Sequence, residues 1–341
     1  MSAYEAKNIP CRIKLDANES PYNLSSEDMD IVRNSLSSLE FNRYPDPQAR
    51  KLRAVLARRY KVKQSQILLG NGSDELISML IACFGGPVLY PVPTFSMYGI
   101  IAKAAGRRQV EVKLDNDFDI DTGRMLADIK RVNPKLVFLS SPNNPTGNCF
   151  SSERVLGIAK TAPGVVVVDE AYQPFARSLG SNVRRGFLPL LKDYRNMVIL
   201  RTLSKVGLAS LRLGIMIASE EIIAEVNKVR LPFNINTLSQ EVAIKLLSGK
   251  DSSAKAVKLI VKERERMFEE IAEVDGVVAF PSDANFILFK LEDPNMVYNR
   301  LLKKGILVRN LDKVIKGCLR VTVGTPQENS AFIEALRMVM K

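Results

Sequence analysis

The sequence predicts an α/β protein built on a mainly parallel sheet, followed by a smaller α+β domain. Three observations carry that prediction. From residue 66 onward, short apolar runs alternate with longer stretches of helical period, the pattern of a parallel sheet crossed over by helices. Past Pro232 the texture changes to a long charged amphipathic stretch and then to mixed strand-like and helix-like segments. The length of 341 residues leaves room for about two domains at ~150 residues each.

Taken in order, residues 1–30 read as an irregular arm whose partner no periodicity identifies. Residues 31–248 make the expected large domain. Within it, the apolar runs 66–70, 88–90, 136–140, 165–168, 198–201 and 213–218 have the length and bounds of buried strands. Segments 74–84, 96–105, 152–162 and 220–229 carry helical spacing, and several open on Ser or an acidic residue, which suits the free N–H groups of a first turn. Residues 249–341 make the expected small domain. A long helix over 252–274 connects into it, followed by strands at 284–291, 306–309 and 319–323, a helix at 296–304 and a terminal helix from Asn329.

Composition removes whole classes of chemistry. The chain has no histidine, so a Ser-His-Asp triad, a Cys-His dyad, an HExxH zinc site and an imidazole base are all excluded. Cys11, Cys83, Cys149 and Cys318 lie far apart with no metal-ligand spacing, so reduced thiols and no metal are expected. Lys and Arg exceed Asp and Glu by 49 to 37, a net +12, which favours anionic partners. The basic runs at 58–61, 107–108 and 184–185 are short and lie in no nucleic-acid-binding pattern, so solvated surface is expected and nucleic acid is not. The first twenty residues lack the apolar stretch of a signal peptide, and no uncharged apolar run spans a membrane; a soluble cytoplasmic protein is expected.

Ligands of open α/β sheets collect at the carboxyl ends of strands, and four such positions are chemically loaded. Gly72, Ser73 and Asp74 follow the first strand and open a helix, as either a tight turn or a phosphate cradle. Asn144 lies in SPNNPTG (141–147), as either a rigid turn or an amide held at a cleft. Asp169 ends four valines, where its buried charge needs a cation; a helix cap, a structural ion pair and a ligand contact all answer that need. Tyr172 follows three residues on. Lys205 lies just past another strand beside Ser204, with Arg212 seven residues later. A lysine in such company is suited to a Schiff base with a carbonyl cofactor.

These motifs resemble the fold-type I pyridoxal-phosphate aminotransferases, and within them the histidinol-phosphate subfamily. The resemblance runs over nearly the whole chain: LDANESPY (15–22), NRYPDP (42–47), GNGSDE (70–75), PTFSMY (93–98), SPNNPTG, DEAY (169–172), RTLSK (201–205) and LRVTVGTPQEN (319–329). It implies that fold, with helices on both faces of the large sheet, and pyridoxal 5'-phosphate as cofactor. Lys205 would hold the cofactor covalently and later move the proton, and Asp169 would bind the pyridine nitrogen. Asn144 and Tyr172 would contact the ring hydroxyl, and Phe95 would stack on the ring. The phosphate would sit on Gly72, Ser73, Asp74, Ser204 and Arg212, with Tyr44 supplied by the partner of a homodimer. Arg309 and Arg320 would grip the substrate phosphate, Arg320 also the glutamate carboxylate, with Asn18 and Tyr22 as further substrate contacts. One departure stands out: the family usually places the phosphate arginine eight residues after the lysine, and here the spacing is seven.

The activity this implies is exchange of an amino group between histidinol phosphate (imidazole-acetol phosphate) and glutamate or 2-oxoglutarate, as in histidine biosynthesis. Threonine-phosphate decarboxylases and aromatic or broad-specificity aminotransferases share the cofactor motifs. A regulator of this fold normally carries an added N-terminal DNA-binding domain, for which a 30-residue arm is too short.

Overall fold

The computed structural model describes residues 9–37, 39–176, 186–249 and 253–341. The basic pair Arg184-Arg185, the first eight residues of the arm and Ser252 at the expected start of the long helix lie outside them.

The chain opens on a three-residue strand, β1 (Ile13–Leu15), then α1 (Ser26–Leu36) and α2 (Arg50–Tyr60). Strands and helices then alternate: β2 (Ile67–Asn71), α3 (Ser73–Phe84), β3 (Val88–Val92), α4 (Met97–Ala104), β4 (Gln109–Lys113), α5 (Thr122–Val132), β5 (Leu136–Ser140), α6 (Ser152–Thr161) and β6 (Val165–Asp169). After them come β7 (Met197–Thr202), β8 (Leu213–Ala218), α7 (Glu220–Asn227) and α8 (Thr237–Ser248). Among the described residues the larger sheet has seven strands in the order β2-β8-β7-β6-β5-β3-β4. Its interior strands are runs of β-branched and aliphatic residues because both faces are covered. Along β6, Val166 and Val168 enter one core, with α2, α5, α6 and α8, while Val165 and Val167 enter the other, with α3, α4 and α7. That alternation is the period of two expected of a strand.

Among the described strands of this sheet, only β8 is antiparallel to its neighbours, β2 and β7. The remaining strands therefore point the same way, and the segments after β2, β3, β5, β6 and β7 emerge at one edge of the sheet. β4 was absent from the expected strands because Gln109–Lys113 alternates buried and exposed residues at the sheet's margin and offers no apolar run.

The second sheet is formed by β9 (Val278–Ala279), β10 (Phe286–Lys290), β11 (Ile306–Asn310) and β12 (Cys318–Thr322), joined by β1, in the order β1-β11-β12-β10-β9. It packs with α9 (Ser253–Ala272) and α11 (Pro326–Met340), and α10 (Pro294–Lys303) precedes β11. α11 starts on a capping box, with Thr325 and Glu328 bonding reciprocally and Pro326 in the first turn. Arg264 of α9 is 1% exposed and donates to the carbonyls of Phe175 and Ala284, both at 2.9 Å, so it ties α9 to the segment after β6 and to the segment before β10.

The expected irregular arm is structured where it meets this sheet. β1 pairs parallel with β11, Ile13 opposite Ile306, and three residues are too few for periodicity to reveal. Beyond it, buried Asn18 takes φ +54°, a left-handed conformation that asparagine tolerates better than most residues.

Candidate active site

At the shared strand edge, the turns after β2, β5, β6 and β7 enclose a cavity of about 100 Å³. Ser73, Asp74, Phe95, Asn144, Asp169, Tyr172, Ser204, Lys205 and Arg212 all line it. Nine of the positions singled out in the sequence thus meet in one place.

The turn after β2 is built by two glycines. Gly72 has φ +79°, and a Cβ there would lie 2.5 Å from the Arg212 guanidinium; Gly214 lets the Gly72-Ser73 backbone pass where a Cβ would stand 2.5 Å away. α3 begins immediately afterwards with no side-chain cap, leaving first-turn N–H groups and the positive end of the helix dipole beside the cavity. Arg212 reaches this turn although its spacing from Lys205 is one residue short. The 3-10 turns at Ser204–Val206 and Ala209–Leu211 compact the loop, and Arg212 itself sits at φ +51°. Its guanidinium then lies 3.4 Å from Ser204 Oγ and 4.0 Å from Asp74. Burial raises the Asp74 carboxyl, while Arg212 and Lys205 pull it down.

Within the chain Asp169 is met by two uncharged donors. Its Oδ2 accepts from the Tyr98 phenol at 2.7 Å and its Oδ1 from the Ala171 N–H at 3.1 Å. Neither donor carries a charge, and burial pushes the carboxyl up to about 6 even though both bonds lower it. The cation goes to the next residue. Successive strand-end side chains face opposite ways, and Glu170, on the other face, holds Arg201 at 2.7 Å and accepts from Phe187 N. Arg201 was legible only as part of RTLSK; an Asp-Glu pair one strand from an arginine was its signal.

Tyr172 OH accepts from Asn18 Nδ2 at 3.0 Å and from Asn144 Nδ2 at 3.5 Å. Lys205 Nζ lies 5.7 Å from the centre of the Tyr172 ring. A second cavity of about 400 Å³ shares Phe95, Asn144, Tyr172 and Lys205 with the first and adds Lys14, Asn18, Arg309 and Arg320. The two arginines are register partners across β11 and β12, and directly opposed residues of an antiparallel pair project on one face. Arg320 is fixed by Asn144 Oδ1 at 2.5 Å and the Asp16 carbonyl at 2.9 Å, over the Phe286 ring.

Two expected residues lie elsewhere. Tyr22 packs against the small-sheet core and lines neither cavity. Tyr44 is 82% exposed and stacks on Phe233 at 4.6 Å, also away from both cavities. Tyr98, inside PTFSMY, carries no signal of a role in the sequence, because its partner is 71 residues away.

The donor set fits a flat, phosphorylated heteroaromatic ring. A buried carboxylate lacking a cationic partner suits a protonated ring nitrogen, the uncapped helix with Arg212 and Ser204 suits a phosphate, and Phe95 supplies a stacking face. A lysine at the junction of the two cavities places an amine between such a ring and a substrate.

A fold and site of this kind define an amino-group transferase, and the chain belongs to the class I and II aminotransferases, whose family model matches residues 12–336. Among its relatives is the histidinol-phosphate aminotransferase of Aquifex aeolicus, 44% identical, with all of this chain and 96% of that protein aligned. Among solved structures, the histidinol-phosphate aminotransferase of Clostridium acetobutylicum superposes with a TM-score of 0.88 at 28% identity, covering 96% of this chain and 99% of that one. The Sinorhizobium meliloti enzyme of the same name, in complex with pyridoxal-5'-phosphate, gives 0.86 at 26% identity over 97% and 91%. Among the described residues no helix is long and apolar enough to cross a membrane.

Proposed function

We propose that this aminotransferase uses pyridoxal 5'-phosphate to move an amino group between histidinol phosphate and 2-oxoglutarate, as a cytoplasmic homodimer. The observation that carries the choice of substrate is the register pair Arg309 and Arg320 on the cavity next to Lys205. Two guanidiniums match a phosphate dianion better than one, because each offers parallel charge-assisted donors. When bound, the cofactor supplies a carbonyl that takes the amino group and a ring that withdraws electrons from the substrate Cα.

The chain's residues then divide the work. Asp169 holds the ring nitrogen and its proton; Asn144 and Tyr172 orient the ring edge; Phe95 covers one face. Ser73, Asp74, Ser204 and Arg212, on the turn that Gly72 opens, anchor the phosphate. Lys205 Nζ would hold the cofactor covalently and serve as the base that moves the proton at the substrate Cα. Arg320 serves both half-reactions, gripping the phosphate in one and a carboxylate in the other. Asn18 couples the arm to this set through Tyr172. The exposed Tyr44-Phe233 stack, with Phe41 and Leu231 also exposed, supports a surface that a second copy covers and from which Tyr44 reaches the partner's phosphate.

Holoenzyme mixed in turn with histidinol phosphate, phosphothreonine and phenylalanine, each with 2-oxoglutarate, tests this. Glutamate formation is expected with histidinol phosphate. Release of CO₂ from phosphothreonine, or faster turnover of phenylalanine, would overturn the substrate assignment.

A further inference from the structure

Tyr98 sits on α4 at 0% exposure. Its ring is held from two sides, stacked on Phe138 at 4.7 Å and 13° and set edge-on to Phe95 at 5.6 Å and 86°. Phe95 lines the cofactor cavity and Tyr98 does not, so Tyr98 meets the site through Asp169, to which its phenol donates at 2.7 Å. A buried phenol needs an acceptor, and here that acceptor is a carboxylate facing the cavity.

A carboxylate in that position is unstable in two respects. Burial favours its neutral form, and Asp74 and Glu170 nearby push the same way. It is also free to rotate unless both oxygens are engaged. The phenol on Oδ2 and the Ala171 N–H on Oδ1 fix the plane, and a hydrogen bond to the charged form lowers its affinity for a proton.

We propose that Tyr98 is a positioning residue for Asp169: its phenol fixes the carboxylate in one orientation and keeps it a weaker base than the cofactor's ring nitrogen. The single proton shared between that nitrogen and Asp169 then stays on nitrogen, where it strengthens the ring's pull on electrons. The assignment rests on the pyridoxal-phosphate reading of the site.

The test is Tyr98→Phe holoenzyme loaded with cofactor labelled with ¹⁵N in the ring. The substitution removes one oxygen and keeps the ring between Phe138 and Phe95. The ring-nitrogen resonance is expected in the pyridinium range in the unsubstituted enzyme and displaced toward neutral pyridine in the variant. kcat is expected to fall roughly tenfold, the scale of one lost hydrogen bond to a charged group, with KM held within twofold. In an Asp169→Asn background, Tyr98→Phe is expected to add less than twofold, since the charge it serves is gone. A second measurement leaves Tyr98 in place: its phenol proton gives a hydrogen-bonded resonance in the holoenzyme that moves in Asp169→Ala, where the Ser140 hydroxyl is the acceptor left within reach. An unchanged ring-nitrogen resonance in Tyr98→Phe, or a phenol resonance unmoved by Asp169→Ala, overturns the assignment of Tyr98 alone. Unsubstituted protein that takes up no cofactor overturns the cofactor reading and this one together.

Discussion

Asp169→Asn is expected to make the cofactor-free protein more stable and the enzyme slower. Burial raises the Asp169 carboxyl from 3.8 to about 6 in the folded chain. Between those values the native state binds a proton that the unfolded state has released, so stability falls as pH rises through that window. The cost is fully present above pH ~6, where a rise of this size corresponds to about 3 kcal/mol, and it disappears below pH ~4. Asparagine keeps the shape without the charge and offers one acceptor oxygen for the two donors, Tyr98 and Ala171. Losing one hydrogen bond removes about 1 kcal/mol of that gain, leaving about 2 kcal/mol. Urea unfolding of the stripped proteins at pH 4, 6 and 8 measures this. The variant's midpoint is expected to exceed the wild type's most at pH 8 and to fall slightly below it at pH 4, where only the lost hydrogen bond remains. A variant midpoint at or below wild type at pH 8, or a difference that ignores pH, would refute burial as the cause of the raised carboxyl. With cofactor restored, kcat is expected to fall, because the charge opposite the ring nitrogen is gone.

Borohydride reduction followed by peptide mapping is expected to fix the pyridoxyl group on the peptide containing Lys205, and Lys205→Ala to bind cofactor without turnover; label on another lysine would displace the assignment. Arg309→Ala is expected to impair histidinol phosphate by about 2 kcal/mol in kcat/KM with a smaller effect on glutamate, and Arg320→Ala to impair both; equal losses for both substrates at Arg309 would argue against a phosphate clamp. Mixing Tyr44→Phe subunits with Lys205→Ala subunits is expected to create one intact site per hybrid dimer if Tyr44 acts across the interface. Hybrids no more active than the Tyr44→Phe dimer would place it within its own chain.

How far the sequence could be read depended on whether a residue's partners were local. Leu136–Ser140 and Leu213–Ala218 are uninterrupted apolar runs buried on both faces, and their bounds were visible. β1 and β4 were not, one being three residues long and the other alternating at a sheet margin. Asp169 and Lys205 stood out because each follows a strand, where an ionisable residue is conspicuous. The partner of Asp169 within the chain did not, because a phenol on a helix 71 residues away answers it, while the nearby Arg201 pairs with Glu170 on the opposite face. The short loop before Arg212 left its path open in the sequence, and only a left-handed residue at the guanidinium's own position brings it back to Ser204.

The arm that pairs with the small sheet also sets an order of events during synthesis. Residues 73–212 of the cofactor cavity have all left the ribosome long before β11 and β12 exist. Asn18 must wait for Thr322, 304 residues later, before its backbone N–H finds its acceptor. Closing a loop of that length late carries a modest entropic cost, since the penalty grows only with the logarithm of length. Its kinetic effect is larger, because contacts so distant in sequence form slowly. A growing chain can therefore assemble the phosphate turn and the lysine loop early, yet Asn18 can join Tyr172 and Arg320 in a finished site only once β12 has been made.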